Sequence, residues 1–171
     1  MQTLPLTQIA PAAVEQLLDR AFGRDRFGRT AYRLREGCSA IPALSRAVVA
    51  DGTLIATLQC WPVALARDDG GRATLTLVGP VAVDPGHQQG GIGRALMTGL
   101  LDAAGPDAPL MLIGDPEYYG RFFGFSADRT ARWRLPGPFE PRRLLARGAV
   151  IDTPGVIVPD PSRLADPDGD R

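Results

Sequence analysis

The segment that most constrains the fold is Val81-Ala82-Val83-Asp84-Pro85-Gly86-His87-Gln88-Gln89-Gly90-Gly91-Ile92-Gly93-Arg94-Ala95-Leu96. An apolar strand-like run leads through a glycine-rich turn into the start of a helical repeat, so several backbone N–H groups and the positive end of a helix converge on one point. That is an anion site, suited to phosphate. A turn alone needs one or two glycines, whereas Gly86, Gly90, Gly91 and Gly93 fall within eight residues. Two common phosphate loops fail on residues. The dinucleotide fingerprint needs a third glycine where Leu96 stands, and the P-loop needs a lysine.

The chain of 171 residues contains no lysine and no asparagine; its 19 basic residues are all arginine, balanced by 19 acidic ones. Lysine general bases and Schiff-base chemistry are therefore excluded. Zero net charge and a 44% hydrophobic fraction argue against a nucleic-acid arm and against a disordered acidic segment. The length predicts one domain, residues 1–163, followed by a polar tail over 164–171. Cys38 and Cys60 lie far apart without a Cys-x-x-Cys pair, and His87 is the only histidine, so no metal site is expected. No basic leader and no run of ~18 apolar residues is present, which predicts a cytoplasmic protein without membrane or nucleic-acid partners.

Periodicity supplies the coarse architecture. Val14, Leu17, Leu18, Ala21 and Phe22 follow one helix face, with Pro11 suited to the first turn and Gly23 to the stop. The arginine-rich stretch from Gly28 to about Glu36 suits a short helix or loop acting as a lid over an acceptor site. Ser45 to Ala50 and Thr53 to Trp61 flank Asp51-Gly52, a hairpin signature. Ala73 to Val83 reads as the third strand, broken by Gly79-Pro80, where a bulge or splayed edge is expected. Gly91 to about Ala104 is helical, Leu110 to Ile113 is a strand, and the two strands around that helix are expected to pair in parallel. Asp115, Pro116 and Gly124 bound a two-turn helix. Thr130 to Leu135 alternates as a half-buried strand, and Ala149 to Ile151 with Val156 to Val158 suggest a last strand or hairpin. No internal repeat is evident.

The glycine-rich segment resembles the core signature of the GNAT superfamily of acyl-CoA-dependent N-acyltransferases, in which Gln or Arg, two residues, Gly, one residue, then Gly or Ala is met by Gln88, Gly91 and Gly93. The hairpin from Ser45 to Trp61, the strand containing Val78-Gly79-Pro80, and Gly114-Asp115-Pro116-Glu117-Tyr118-Tyr119 through Gly124-Phe125 are similar to a bacterial subgroup of predicted N-acetyltransferases. The likeness spans roughly residues 40 to 135. It implies an α/β (α+β) fold: a mixed, mostly antiparallel twisted sheet, splayed at the acyl-CoA site and flanked by helices. One departure stands out. The subgroup has two residues between its tyrosine pair and Phe-Gly-Phe, whereas three separate Tyr119 from Phe123-Gly124-Phe125.

The resemblance further implies acetyl-CoA as acyl donor. Its pantetheine amides would pair with Val81, Ala82 and Val83 like an added strand. Its pyrophosphate would sit on N–H groups of Gln88, Gln89, Gly90, Gly91, Ile92, Gly93 and Arg94, and Arg94 either contacts a phosphate or is a solvated surface residue. A neutral amine then attacks the thioester, the N–H of Val83 or its neighbour serves as oxyanion donor, and a tyrosine protonates the leaving thiolate. Tyr119 is the first choice and Tyr118 the second. A phenol with pKa near ~10 keeps its proton at neutral pH and can donate to a thiolate whose acid has pKa ~8.5. Ala73 to Val83 carries no glutamate, so deprotonation is expected to run through water, with Asp84 and Asp115 as turn and cap residues. A non-catalytic acyl-CoA-binding module is the alternative. The acceptor is an unspecified primary amine of a small molecule or peptide. Arg129, Arg132, Arg134, Arg142, Arg143 and Arg147 either favour an anionic acceptor or, preferably, solvate a face. A C-terminal strand shared between chains is a route to a homodimer.

Overall fold

The computed structural model describes residues 1–164. Its elements are β1 (Gln2–Pro5), α1 (Pro11–Phe22), α2 (Thr30–Arg33), β2 (Arg46–Ala50), β3 (Thr53–Arg67), β4 (Arg72–Val83), α3 (Ile92–Ala104), β5 (Leu110–Ile113), α4 (Pro116–Phe123), β6 (Trp133–Arg134), β7 (Leu144–Arg147) and β8 (Gly155–Pro159). The strands join in the order β1-β2-β3-β4-β5-β7, with β8 on β3 and β6 on β8. The result is a mixed α/β fold on a mostly antiparallel open sheet, as expected. Apart from Leu164, the tail expected over 164–171 lies outside the described residues. No helix among the described residues is long and apolar enough to cross a membrane.

The chain divides into two compact units. The first comprises Met1–Gly28, Ala40–Cys60 and Val78–Pro106; the second comprises Arg29–Ser39, Trp61–Leu77 and the chain from Asp107 onward.

In the first unit, Asp51 (φ 51°) and Gly52 (φ 76°) both take positive φ. That is the geometry a two-residue hairpin turn needs to match strand twist, and it sets the antiparallel register Ala50↔Thr53. Between Val48 and Val49 the register shifts, Val48 facing Ala56 and Val49 facing Leu54, so Ile55 is the extra residue of a bulge. α1 begins at Pro11 and stops at Gly23 (φ 81°), whose N–H donates to Asp19 O at 2.9 Å. Its Val14, Leu17 and Leu18 bury against Ala82 of β4, with Leu6, Ile9, Ala21, Phe22 and Leu54 around them. Arg26 follows α1 and is almost wholly buried. It pairs with Glu15 and Asp19 on the helix, so the buried guanidinium is neutralised and the connection is tied back onto α1.

In the second unit, β3 continues past Pro62 and its last five residues pair antiparallel with β8, from Val63↔Pro159 to Arg67↔Gly155. The first unit's ladder to β2 ends at Leu58. Pro62, which has no N–H to give a ladder, lies between the two pairings. This strand is buried from Ile55 to Leu65, the pattern of a central strand. β4 and β5 pair in parallel at Thr76↔Leu110 and Leu77↔Met111, two residues before the cis Gly79–Pro80 bond. β7 covers the other edge of β5, from Leu110↔Arg147 to Ile113↔Leu144. β6 runs parallel to β8.

Several expectations change here. The strand expected over Thr130 to Leu135 shrinks to Trp133–Arg134, because Thr130 turns inward and its hydroxyl donates to Leu144 O at 2.7 Å. Ala149 to Ile151 forms no strand, since Gly148 takes φ 88° and Ala149 N–H donates to Asp107 O instead of to a ladder. The expected hairpin strand ending at Trp61 extends to Arg67 because β8 supplies a second partner. β1 and β7 were not anticipated at all. The stretch from Gly28 to about Glu36, expected as a short helix or loop, does hold a short helix, α2, and it is tethered: Thr30 Oγ1 donates to Pro138 O at 2.5 Å and an Arg33 guanidinium N–H to Pro136 O at 2.7 Å. Gly137 makes this docking possible, since a Cβ there would stand 2.7 Å from Thr30 Oγ1.

Candidate active site

The glycine-rich segment runs from strand to helix in the first unit as expected, with one refinement: a 3-10 turn, Pro85–Gly90, lies between β4 and α3. Asp84 begins that turn. Its Oδ1 accepts the Gly86 N–H at 3.0 Å, its carbonyl accepts the His87 N–H at 2.8 Å, and its own N–H donates to Ile55 O at 2.7 Å. Its Oδ2 accepts Arg20 Nε at 3.0 Å, and His87 Nδ1 stands 3.7 Å from Oδ1. The Gly86 N–H above all, and then the Arg20 guanidinium, hold the Asp84 carboxyl below the usual carboxylate range.

Gly91 caps α3 in the left-handed region (φ 70°) and, having no side chain, makes no side-chain cap to the helix. The first α-helical bond runs from Ala95 N–H to Gly91 O, so the N–H groups of Ile92, Gly93 and Arg94 precede it. No acidic side chain occupies that first turn. Residues 85–91 are exposed, as are Arg94 and Ala95. A Cβ at Gly93 would meet Val83 Cγ2 at 3.7 Å and Val81 Cγ1 at 3.9 Å, ordinary contacts. Internal packing therefore does not require glycine at 93. Val81 and Val83 are half-buried and Ala82 points into the α1 cluster.

The tyrosine pair belongs to the second unit, on α4. Asp115 caps that helix by accepting the Glu117 N–H at 3.0 Å, Pro116 takes the first position, and Gly124 ends it at φ 73°. Tyr118 and Tyr119 are both half-buried, edge to face with ring centroids 5.0 Å apart. Tyr118 also meets Phe122 and Phe123, and Tyr119 meets Phe123 and Phe125. The Tyr119 ring lies on Gly114, whose N–H donates to Arg143 O at 2.9 Å. Burial, reinforced by Tyr118 and Asp115 and opposed by Arg143, raises the Tyr119 phenol above its ordinary pKa. The phenol is thus a proton carrier at neutral pH.

The C-terminal arginines are mostly spoken for. Arg134 grips Asp68 with two hydrogen bonds, Arg132 pairs with Asp152, Arg142 pairs with Glu117, and Arg129 donates to Val150 O. Arginine pairing of this kind, set by residues far along the chain, is invisible to sequence spacing. So is the Arg20–Asp84 contact, 64 residues apart. The Gly114–Tyr119 packing likewise has no sequence signal beyond the glycine itself.

Residues 11–107 match the acetyltransferase (GNAT) family, more than half of the chain. The chain belongs to the GNAT acetyltransferase family. A GNAT family N-acetyltransferase (YhbS) from Escherichia coli, solved in complex with CoA, is similar at TM-score 0.66 and 23% identity, over 87% of this chain and 83% of that one. A GNAT family acetyltransferase from Brucella melitensis, solved with acetyl-CoA, is similar at TM-score 0.62 and 25% identity, over 93% and 95%. No curated protein matches the chain. The GNAT match includes the whole glycine-rich segment and ends before Tyr118 and Tyr119.

Proposed function

We propose that this GNAT protein is an acetyl-CoA-dependent N-acetyltransferase that acetylates a primary amine of a small molecule or peptide by direct attack, with residues 1–163 serving as one acyltransferase domain. The observation that carries this reading is the N-terminus of α3: a side-chain-free cap at Gly91 in the left-handed region, first-turn N–H groups that precede the first α-helical bond, and no acidic residue in that turn. Those donors suit a pyrophosphate. Gln88 to Arg94 would hold it, and the backbone of Val81 to Val83 would pair with the pantetheine amides. The acetyl-CoA complex of one similar protein and the CoA complex of another support the choice of cosubstrate.

Acetyl-CoA supplies an activated acyl group. The amine nitrogen bonds to the acyl carbon, the carbon–sulfur bond breaks, and the electron pair leaves on sulfur. Backbone N–H at Val83 or its neighbour stabilises the oxyanion. Tyr119 gives its proton to the thiolate and regains one from solvent, while the amine's surplus proton leaves through water, since β4 carries no acidic side chain.

Free-thiol release from acetyl-CoA, followed across a panel of amines, tests this. Acceptor-dependent release with stoichiometric N-acetyl product supports the enzyme. Tight CoA binding without release for any amine supports a non-catalytic acyl-CoA-binding module instead.

A further inference from the structure

Asp84 stands where strand becomes anion loop, and its single carboxylate does two things. Oδ1 caps the Gly86 N–H at 3.0 Å, which sets the first bend of the loop. Oδ2 takes Arg20 Nε at 3.0 Å from the last turn of α1. Its backbone is fixed as well, N–H to Ile55 O at 2.7 Å and carbonyl to the His87 N–H at 2.8 Å, so four bonds meet at one residue. A charged cap is stronger than a neutral one. A carboxylate within the segment that receives an anion has an opposing effect, however, because like charges repel across a short distance. The side chain of Asp84 is 24% exposed, and the Arg20 guanidinium lies directly on the oxygen not used for the cap. The pair thus keeps the strong cap and removes its charge.

We propose that Asp84 is a positioning residue for acyl-CoA binding and that Arg20 is its obligatory counter-ion, together shaping a loop whose net field accepts a pyrophosphate. The proposal rests on the acyl-CoA reading above. Arg20 gains nothing comparable from its own helix, where a cation in the last turn interacts only with exposed carbonyl ends. The charge argument and a purely mechanical one make different forecasts. If Asp84 merely propped the loop, removing Arg20 would loosen it whatever the charge at 84. If Arg20 neutralises, then neutralising Asp84 in another way makes Arg20 dispensable.

The test is calorimetric titration of CoA into the full chain and its variants, with acetyl-CoA kinetics alongside. D84A loses cap and charge, and its Kd for CoA rises at least ~10-fold. D84N keeps an oxygen for the Gly86 N–H and stays within ~3-fold of the parent. R20A strands the carboxylate, so Kd rises ~5-fold at low salt and less at high salt. R20A/D84N returns to within ~2-fold of D84N. In kinetics the losses fall on KM for acetyl-CoA and not on kcat. Should D84A fail to fold by circular dichroism, R20A and R20A/D84N carry the test alone. Parent-like CoA affinity in both D84A and R20A overturns the proposal, as does a double variant as weak as R20A. Failure of the parent chain to bind CoA overturns the acyl-CoA reading itself, and this proposal with it.

Discussion

The ring of Tyr119 lies on the backbone of Gly114 so closely that a Cβ at 114 would stand 2.6 Å from Tyr119 Cε2 and 2.9 Å from Cδ2. The contact closes a short circuit in the second unit. β5 ends at Ile113, the Gly114 N–H donates to Arg143 O just before β7, Asp115 caps α4, and the first full turn of α4 brings Tyr119 back over the glycine. The phenol proposed as proton donor is therefore placed by a residue with no side chain.

Gly114→Ala puts that missing carbon into the ring, with Leu112 Cδ1 a further 3.1 Å away. The tyrosine has to swing out or α4 has to shift. Overpacking of this kind costs roughly 1–3 kcal/mol. Thermal denaturation should show the loss, and turnover should fall because the phenol moves. An alanine variant with parent-like melting and kcat would contradict the packing described here.

Tyr119→Phe keeps the ring on Gly114 and removes only the proton. Turnover is expected to fall at least ~10-fold with CoA affinity unchanged, while Tyr118→Phe stays near the parent. The pH dependence carries a sign. Burial raises the Tyr119 pKa, so the folded protein holds this proton where the unfolded chain releases it. Its contribution to stability is intact below about pH 10, the unfolded value, and is lost as pH climbs through the higher folded value. Alkaline unfolding curves of the parent and Tyr119→Phe should therefore diverge only above about pH 10. Divergence at neutral pH would point to a lost hydrogen bond instead.

What could be read from the sequence was local. Asp51-Gly52, Pro11 with Gly23, and Asp115-Pro116 with Gly124 specify turns and caps through their own backbone preferences, and each is found where expected. The glycine-rich loop is of the same kind, since the φ of 70° at Gly91 is a property of the residue itself. What escaped depends on partners distant in sequence. β1 exists because β2 offers an edge to Gln2–Pro5, and β7 because β5 and Ser126 flank Leu144–Arg147. Thr130 alternates correctly for a strand, yet its hydroxyl finds Leu144 O and the chain turns. Likewise Asp84 was legible as a turn residue, whereas its partner Arg20 was not.

The Gly91 position separates shape from charge. Alanine there must adopt a left-handed φ of 70°, which costs about 1–2 kcal/mol without placing anything in the protein's own way. Glutamate adds a carboxylate at the helix end proposed for pyrophosphate. Gly91→Ala should therefore lower the melting temperature and weaken CoA only modestly. Gly91→Glu should keep a folded spectrum and lose CoA affinity by ~100-fold or more. Equal CoA affinity in the parent and Gly91→Glu would remove the anion assignment from α3.

The two cysteines differ in what covers them, and their chemistry should follow. Cys60 is wholly buried on β3, and burial pushes its thiol up to about 12, with Arg46 opposing weakly. Cys38 is partly exposed, its Sγ 3.8 Å from Pro62 O, and its pKa is raised too, chiefly by desolvation. Because the thiolate is the nucleophile, a thiol pushed this far up by burial is almost wholly protonated at pH 8, apart from its lack of access. A disulfide reagent added at pH 8 should modify Cys38 first and leave Cys60 untouched until denaturant opens the chain. The raised pKa also predicts a stability loss as pH rises from about 8.5, the unfolded thiol's value, toward that of the folded protein, a component that Cys60→Ala lacks. Simultaneous modification of both thiols in the native protein would mean that β3 opens around Cys60 far more often than its burial implies.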